Sequence, residues 1–392
     1  MPRPKYLLAL LPWLLLINAC SAPQQSLPTA KIPVPTQTSK PALREPVSTS
    51  TSTVAPPTQT STPIPPQLHV TPESIPTRAP ESNPLPVEMN CSATSFFPFA
   101  FLPDNTAILG RGDKSVILWS LERGQEEIFI ETSQPIFVGA LSPDGQVLAI
   151  ALEDYSIQLI RMADKSLLNT LLGHTGMISA LKFSQGGDKL YSASHDTWIR
   201  IWDQEGNLVH AFQPGGAYDA PAEVFGIGIS PDGAMLASVA FDGPLKLWNL
   251  EDYQMIAAFE SIYGAFDGAD AAFTMDGQLV GRGLGGGPIA VWDIARRTEL
   301  WSGGDYAFAF MPGKRTIAYS GTDEDGNNQV VLRSLDGPDI IQVFEGHKAF
   351  IWKVIFSQDG ILLASTDDTE TLVWRVEDAH LVSVRSTNCL QP

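Results

Sequence analysis

One unit recurs along this chain, and its recurrence limits the available folds more than any other feature. Its fullest copy is Gly173 to Asp203, GHTGMISALKFSQGGDKLYSASHDTWIRIWD. A Gly-His pair leads into an apolar run, Met177 to Phe183, and a turn at Ser184 to Gly187 precedes a second run, Lys189 to Ser194. A polar turn at His195 to Thr197 precedes a third run, Trp198 to Trp202, and Leu208 to Phe212 supplies a fourth. Short β-prone runs separated by turn residues predict an antiparallel meander. One such sheet cannot bury both faces alone, so it needs copies of itself on either side.

The copies are present. The last core position of each third strand falls at Trp119, Ile160, Trp202, Trp248, Trp292, Arg333 and Trp374, at intervals of 41, 42, 46, 44, 41 and 41 residues. That is close to the ~40–45-residue period of a four-stranded propeller blade. An Asp precedes that position by six residues in five units, at Asp113, Asp154, Asp196, Asp242 and Asp368. The first turn recurs as Ser142-Pro143-Asp144-Gly145, Ser230-Pro231-Asp232-Gly233 and Ser357-Gln358-Asp359-Gly360. With these features the chain resembles the WD-repeat (WD40) β-propellers. The resemblance implies an all-β, seven-bladed propeller of four-stranded antiparallel blades over residues 89–392. The innermost strands are expected near Ser95–Phe101, Phe137–Leu141, Met177–Phe183, Val224–Ile229, Ala269–Phe273, Tyr306–Phe310 and Phe350–Phe356.

The N-terminal segment is of another kind. In residues 1–20, Arg3 and Lys5 precede an apolar run, Tyr6 to Ile17, that is short for a bilayer span. It ends Leu16-Ile17-Asn18-Ala19-Cys20, which resembles the lipobox of bacterial lipoproteins. By that resemblance Cys20 becomes the acylated N-terminus, anchoring the protein on the extracytoplasmic side of a bacterial membrane, at the cell surface or in a periplasm. Residues 21–88 contain 16 Pro, 11 Thr and 9 Ser. So few large apolar residues remain that the segment predicts a disordered, partly polyproline tether.

The charge lies in the repeats. Residues from Met89 onward hold 39 acidic and 19 basic side chains, a net of −20. Such a balance disfavours nucleic acid and anionic lipid headgroups, which need clustered Lys and Arg, and it supports solubility.

The resemblance also implies a polar tetrad linking His, Ser/Thr, Asp and Trp. The matching positions are His174, Ser194, Asp196 and Trp202, with His347, Thr366, Asp368 and Trp374 in the last blade. A His-Ser-Asp set invites a catalytic reading, but its repetition in two blades and the lack of a GxSxG elbow favour structure. Gly281 to Gly286 forms a GxGxxG, yet a strand rather than a helix follows, so a nucleotide loop is rejected in favour of a hairpin turn. Asp323 to Asn328 resembles the start of a calcium loop without its later Glu, and reads better as a polar hairpin. No zinc pattern occurs, and neither a cofactor nor a catalytic residue is assigned.

Cys91 and Cys389 flank the one gap in the ring, between the last outer strand and the first inner one. In an exported protein they are expected to form a disulfide clasp, in place of the N-terminal strand pairing usual in the family. The remaining expectation is a binding face. The loops at 213–223 and 260–268 exceed the repeat and hold Tyr218, Asp219, Tyr263, Phe266 and Asp267, while Trp352 replaces the small Ser179 of blade 3. Aromatic groups among carboxylates suit a contact surface. The function expected is a non-catalytic, monomeric scaffold for an unknown protein or peptide. The alternative is a propeller enzyme, or a binder of small ligands or metal, using the central channel.

Overall fold

The computed structural model describes residues 89–91, 95–215, 221–241, 243–260, 270–284 and 287–387. Cys20, the 21–88 segment, Cys389 and the loop residues Tyr218, Asp219, Tyr263, Phe266 and Asp267 lie outside them. Among the described residues the strands assemble into seven antiparallel blades, each ordered from first to fourth strand as in the chain. The innermost strands are Phe97–Phe101, Ile136–Leu141, Ile178–Phe183, Val224–Ile229, Asp270–Phe273, Phe308–Phe310 and Lys353–Phe356.

Register is common to all seven blades. The recurring third-strand position stands opposite an aliphatic residue of the second strand every time. The pairs are Ile108–Trp119, Leu148–Ile160, Leu190–Trp202, Leu236–Trp248, Val280–Trp292, Ile317–Arg333 and Leu363–Trp374. The sequence repeat is therefore a repeat of pairing. Where Trp is replaced, the slot is still filled: Ile160 is buried, and Arg333 lies 6.0 Å from the Trp301 ring of the neighbouring blade.

The apolar core is divided among the seams. Blades 1 and 2 meet through Leu109, Phe129, Ile136 and Ile150; blades 4 and 5 meet through Phe225, Phe259, Val280 and Trp292. The other junctions, including that between blades 7 and 1, carry corresponding clusters. Burial of these faces, about 25 cal/mol per Å² of apolar surface, is the main stabilising term. Gly281 and Gly283 show how close the approach becomes. A Cβ on Gly281 would lie 2.8 Å from Phe310 and 2.9 Å from Phe308 of blade 6, and one on Gly283 would lie 2.9 Å from the Tyr306 carbonyl. Both glycines sit within a strand, Leu279–Leu284, rather than in the hairpin turn expected from the sequence. They make room for the next blade.

The closing seam corrects a second expectation. The strand His380–Ser386 is the fourth of blade 7, and Met89–Cys91 then pairs with it in parallel as a fifth. Met89 stands opposite Val384, Asn90 opposite Arg385 and Cys91 opposite Ser386. The N-terminal strand is thus used after all, added outside a blade that the C-terminus has already completed. Beside it, the buried Arg385 makes an ion pair with Glu126 of blade 1, its Nη2 donating to Glu126 Oε2 at 3.2 Å. The Arg385 guanidinium also lies 4.6 Å over the Phe96 ring. On the same seam, Asn105 Nδ2 donates to Asp359 Oδ2 at 2.7 Å.

Removing the carboxylate across this seam should be costly because Arg385 is almost fully enclosed. Glu126→Ala is expected to destabilise the propeller by about 3 kcal/mol. Urea unfolding against wild type measures it, and a change below ~1 kcal/mol would show the pair to be peripheral.

Candidate functional site

The tetrads form with the expected His and Trp and, in blade 3, the expected Asp196, but Ser192 replaces Ser194, Ser365 replaces Thr366 and Asp367 replaces Asp368. In blade 3, His174 Nδ1 lies 2.9 Å from Asp196 Oδ2, and Nε2 lies 2.8 Å from Ser192 Oγ. Trp202 Nε1 donates to the same Ser192 hydroxyl at 2.9 Å. Ser194 instead donates to the Gly176 carbonyl at 2.9 Å. Ser192 and Ser194 share one strand face, but Ser192 is at the level of the indole.

In blade 7, His347 bonds Asp367 at 2.9 Å and Ser365 at 2.7 Å, and Trp374 Nε1 donates to Ser365 at 3.1 Å. Thr366 pairs with Thr371, and Asp368 accepts from Trp352. The hairpin here places its Ser nine residues before the Trp, against ten in blade 3. No single offset from the Trp therefore finds the Ser in both blades. The Gly of each Gly-His pair has positive φ, 145° at Gly173 and 135° at Gly346, which a residue with a Cβ rarely adopts.

Chemically these are structural sets. Ser192 is fully buried beneath the indole, so no substrate can approach its hydroxyl. Burial lowers the His174 pKa despite Asp196, which keeps the imidazole neutral. Burial opposes ionisation of Asp196 and Asp367, but the hydrogen bonds from His and backbone N–H groups prevail. Both carboxylates are held below their ordinary value.

The accessible chemistry lies in the central channel, a cavity of about 630 Å³ lined by the inner strands. At the end where those strands begin, Trp352 lines the cavity with 39% of its surface exposed. Its ring packs edge-on against Tyr306 at 5.5 Å and Phe350 at 4.8 Å, and Nε1 donates to Asp368 Oδ1 at 2.6 Å. On the adjacent blade 1, Phe97 is 40% exposed with the Arg111 guanidinium 4.3 Å over its ring. Burial lowers the pKa of Arg111 while Asp113 opposes that shift. Phe225 packs edge-on against Phe241 at 6.1 Å on a third side.

Deeper in the channel, three inner strands converge on one oxygen. Lys182 Nζ of blade 3 and Lys353 Nζ of blade 7 lie 3.4 Å and 3.3 Å from Asp270 Oδ2 of blade 5. Burial opposes Asp270 ionisation, but the two ammonium groups outweigh it and hold its pKa below the ordinary value. Sequence reasoning passed over this cluster. Its one signal was a charged residue in each of three strands that are otherwise apolar or small.

Two buried cations of blades 4 and 5 bond backbone carbonyls. Buried Lys246 donates to the Pro214 carbonyl at 3.1 Å, and Arg282 Nη1 to the Gly243 carbonyl at 3.0 Å. Burial lowers the Arg282 pKa to about 10, with Glu260 opposing. The acidic hairpin at Asp323 closes on itself: Asp323 Oδ1 accepts from the backbone of Asp325 and Asn327, and Oδ2 from Asn327 Nδ2. The same turn recurs at Asp203 to Asn207, so an Asp-x-x-Gly-Asn hairpin accounts for it without calcium. Among the described residues no His, Cys, Asp and Glu group has the arrangement of a metal site.

Two segments, residues 165–203 and 338–375, match the family model of the WD domain, G-beta repeat. They run into blades 3 and 7, the two with His-containing tetrads. The COMPASS component SWD3 of Saccharomyces cerevisiae is 27% identical over 38% of this chain and 47% of its own length. The WD repeat and SOCS box-containing protein 1 of Takifugu rubripes is 29% identical over 43% of this chain and 38% of its own. The periodic tryptophan protein 2 homolog of Schizosaccharomyces pombe is 31% identical over 29% of this chain and 13% of its own. The matches thus span less than half of each relative. A chain in the crystal structure of the mitotic checkpoint complex superposes with a TM-score of 0.60 at 18% identity, covering 79% of this chain and 100% of that one. That likeness concerns the fold. The repeat matches support the WD-repeat family.

Two measurements probe the tetrads. Ser192→Ala and Ser365→Ala each remove the hydroxyl that joins a buried imidazole to a buried indole, and each should cost about 1–3 kcal/mol in chemical denaturation. Stability should also fall with acid in two stages. Below about pH 6.5 the unfolded chain binds a proton that folded His174 resists, and below about pH 4 it binds protons that Asp196 and Asp367 resist. Urea midpoints from pH 8 to pH 3 test this, and a His174→Gln variant should flatten the upper stage.

Proposed function

We propose that this chain is a non-catalytic interaction scaffold whose propeller captures a protein or peptide at the aromatic mouth of its channel. The observation that carries the reading is the exposed Trp352, braced by Tyr306, Phe350 and Asp368 at the entrance to a cavity. A rigid, half-exposed indole with its N–H already oriented loses little entropy on binding, as hot-spot residues require. The Tyr218, Asp219, Tyr263, Phe266 and Asp267 loops are proposed to extend the same face. A second reading, a small ligand held in the channel, draws on the cavity volume and its charged cluster.

The propeller is further proposed to be held by acyl chains on Cys20 outside a bacterial membrane. The basic and apolar leader, the lipobox-like ending and the Pro/Thr/Ser-rich segment support this. An oxidising location would favour a Cys91–Cys389 disulfide, and the pairing of Cys91 opposite Ser386 supports it.

Crosslinking and pull-down from native envelope material tests the scaffold. Trp352→Ala with Phe97→Ala should reduce capture by about tenfold or more, because anchors of this kind carry ~2 kcal/mol or more. Unchanged capture would remove the channel mouth from the interface. On the same material, Cys20→Ala should move the protein from the membrane to the soluble fraction, and alkylation without reduction should leave Cys91 and Cys389 unmodified.

A further inference from the structure

We infer that the channel selects an acidic side chain: the mouth admits a peptide segment, and Lys182 and Lys353 receive its carboxylate. This rests on the interaction reading above and specifies the chemistry of the partner.

The charge distribution carries the inference. The chain has a net charge of −18, yet among the described residues the charged side chains lining the cavity are Arg111, Lys182 and Lys353 against one carboxylate, Asp270. The excess of cations is gathered in one cavity, where their fields add on an incoming anion. Both ammonium groups point at a single oxygen, Asp270 Oδ2, at 3.4 Å and 3.3 Å. A Lys has three N–H donors, so one contact each leaves most of the donor capacity of the pair unspent. The side chains of Lys182 and Lys353 are 38% and 42% exposed, and that of Asp270 is 30% exposed, so the cluster is open to an incoming group.

The cluster is also held in place. Its members lie on innermost strands of three non-adjacent blades, 83 and 88 residues from Asp270, so the ring itself fixes their separation. Asp270 and Lys353 occupy equivalent registers, opposite Gly283 and Thr366. Lys182, opposite Tyr191, starts two residues deeper and reaches up. Asp270 serves as the resident anion, holding two like charges together until a second carboxylate shares them. Above it Trp352, Tyr306 and Phe97 offer apolar surface to the residues flanking the acid.

The test uses three pools of end-capped heptapeptides with a fixed central Glu, Gln or Lys and mixed flanking positions. Wild type should retain the Glu pool at least tenfold over the Lys pool, since hydrogen bonds between charged groups are worth about 1.5–3 kcal/mol. Lys182→Met with Lys353→Met should erase the preference. Asp270→Asn should strengthen retention of the Glu pool severalfold, because it removes the competing carboxylate, and a variant that merely misfolds could not do this.

Equal retention of the three pools by wild type, or a Glu preference that survives the double Met change, would overturn the inference. In either case peptide recognition by the aromatic mouth would be left standing. Calorimetric binding of succinate or inorganic phosphate with no pool retained would overturn it in favour of a free small anion. Loss of partner capture on Trp352→Ala bears on the mouth alone, so the two readings can fail separately.

Discussion

Everything in this molecule depends on giving each small β-sheet two apolar neighbours. A four-stranded blade is too thin to bury its own faces, and a row of blades would leave two faces wet. Closing the row into a ring removes both ends. Each of the seven seams accordingly carries its own cluster of buried side chains, the last of them joining Trp119 and Ile108 of blade 1 to Ala364 and Val373 of blade 7. Because the stabilising contacts lie between blades, no single blade can be rearranged without its neighbours.

The same constraint explains the polar features. A hydroxyl placed between an indole and an imidazole satisfies groups that burial would otherwise strand, so blades 3 and 7 can carry polar atoms inside a seam. Blade 4 keeps the indole–hydroxyl half, with Trp248 donating to Ser238 at 2.9 Å. Blade 1 gives the position to Gly110, where a Cβ would be 2.3 Å from the Phe96 ring, and Phe96 packs edge-on against Trp119. An aromatic edge there takes the place of the hydrogen-bonded set. The repeat thus preserves the filling of the slot more strictly than the chemistry that fills it.

Ring closure has a second consequence, at the axis. Side chains separated by more than 80 residues in the chain meet across a few ångströms, as Lys182 and Lys353 do on Asp270. The channel can therefore carry a charge balance unrelated to the surface. A strongly acidic exterior and a locally basic axis coexist because the strands of the ring gather the cations at the axis. The aromatic mouth and the charged interior then form one continuous path from solvent to the axis.

The fold was legible in the sequence because pairing register repeats with the chain. A blade is a local object, and an apolar position every ~42 residues reports it directly. The Gly-His pairs and the acidic turns were legible for the same reason, since a turn is decided by its own few residues. The tetrad partners were less so: Ser192 against Ser194 depends on where an indole falls along a strand, and Asp367 against Asp368 on a one-residue difference in a hairpin. The fifth strand, the Arg385–Glu126 pair and the Lys182–Asp270–Lys353 cluster were decided by tertiary structure alone. Each joins residues that only closure of the ring brings together, and no local pattern encodes a distance across its axis or its final seam.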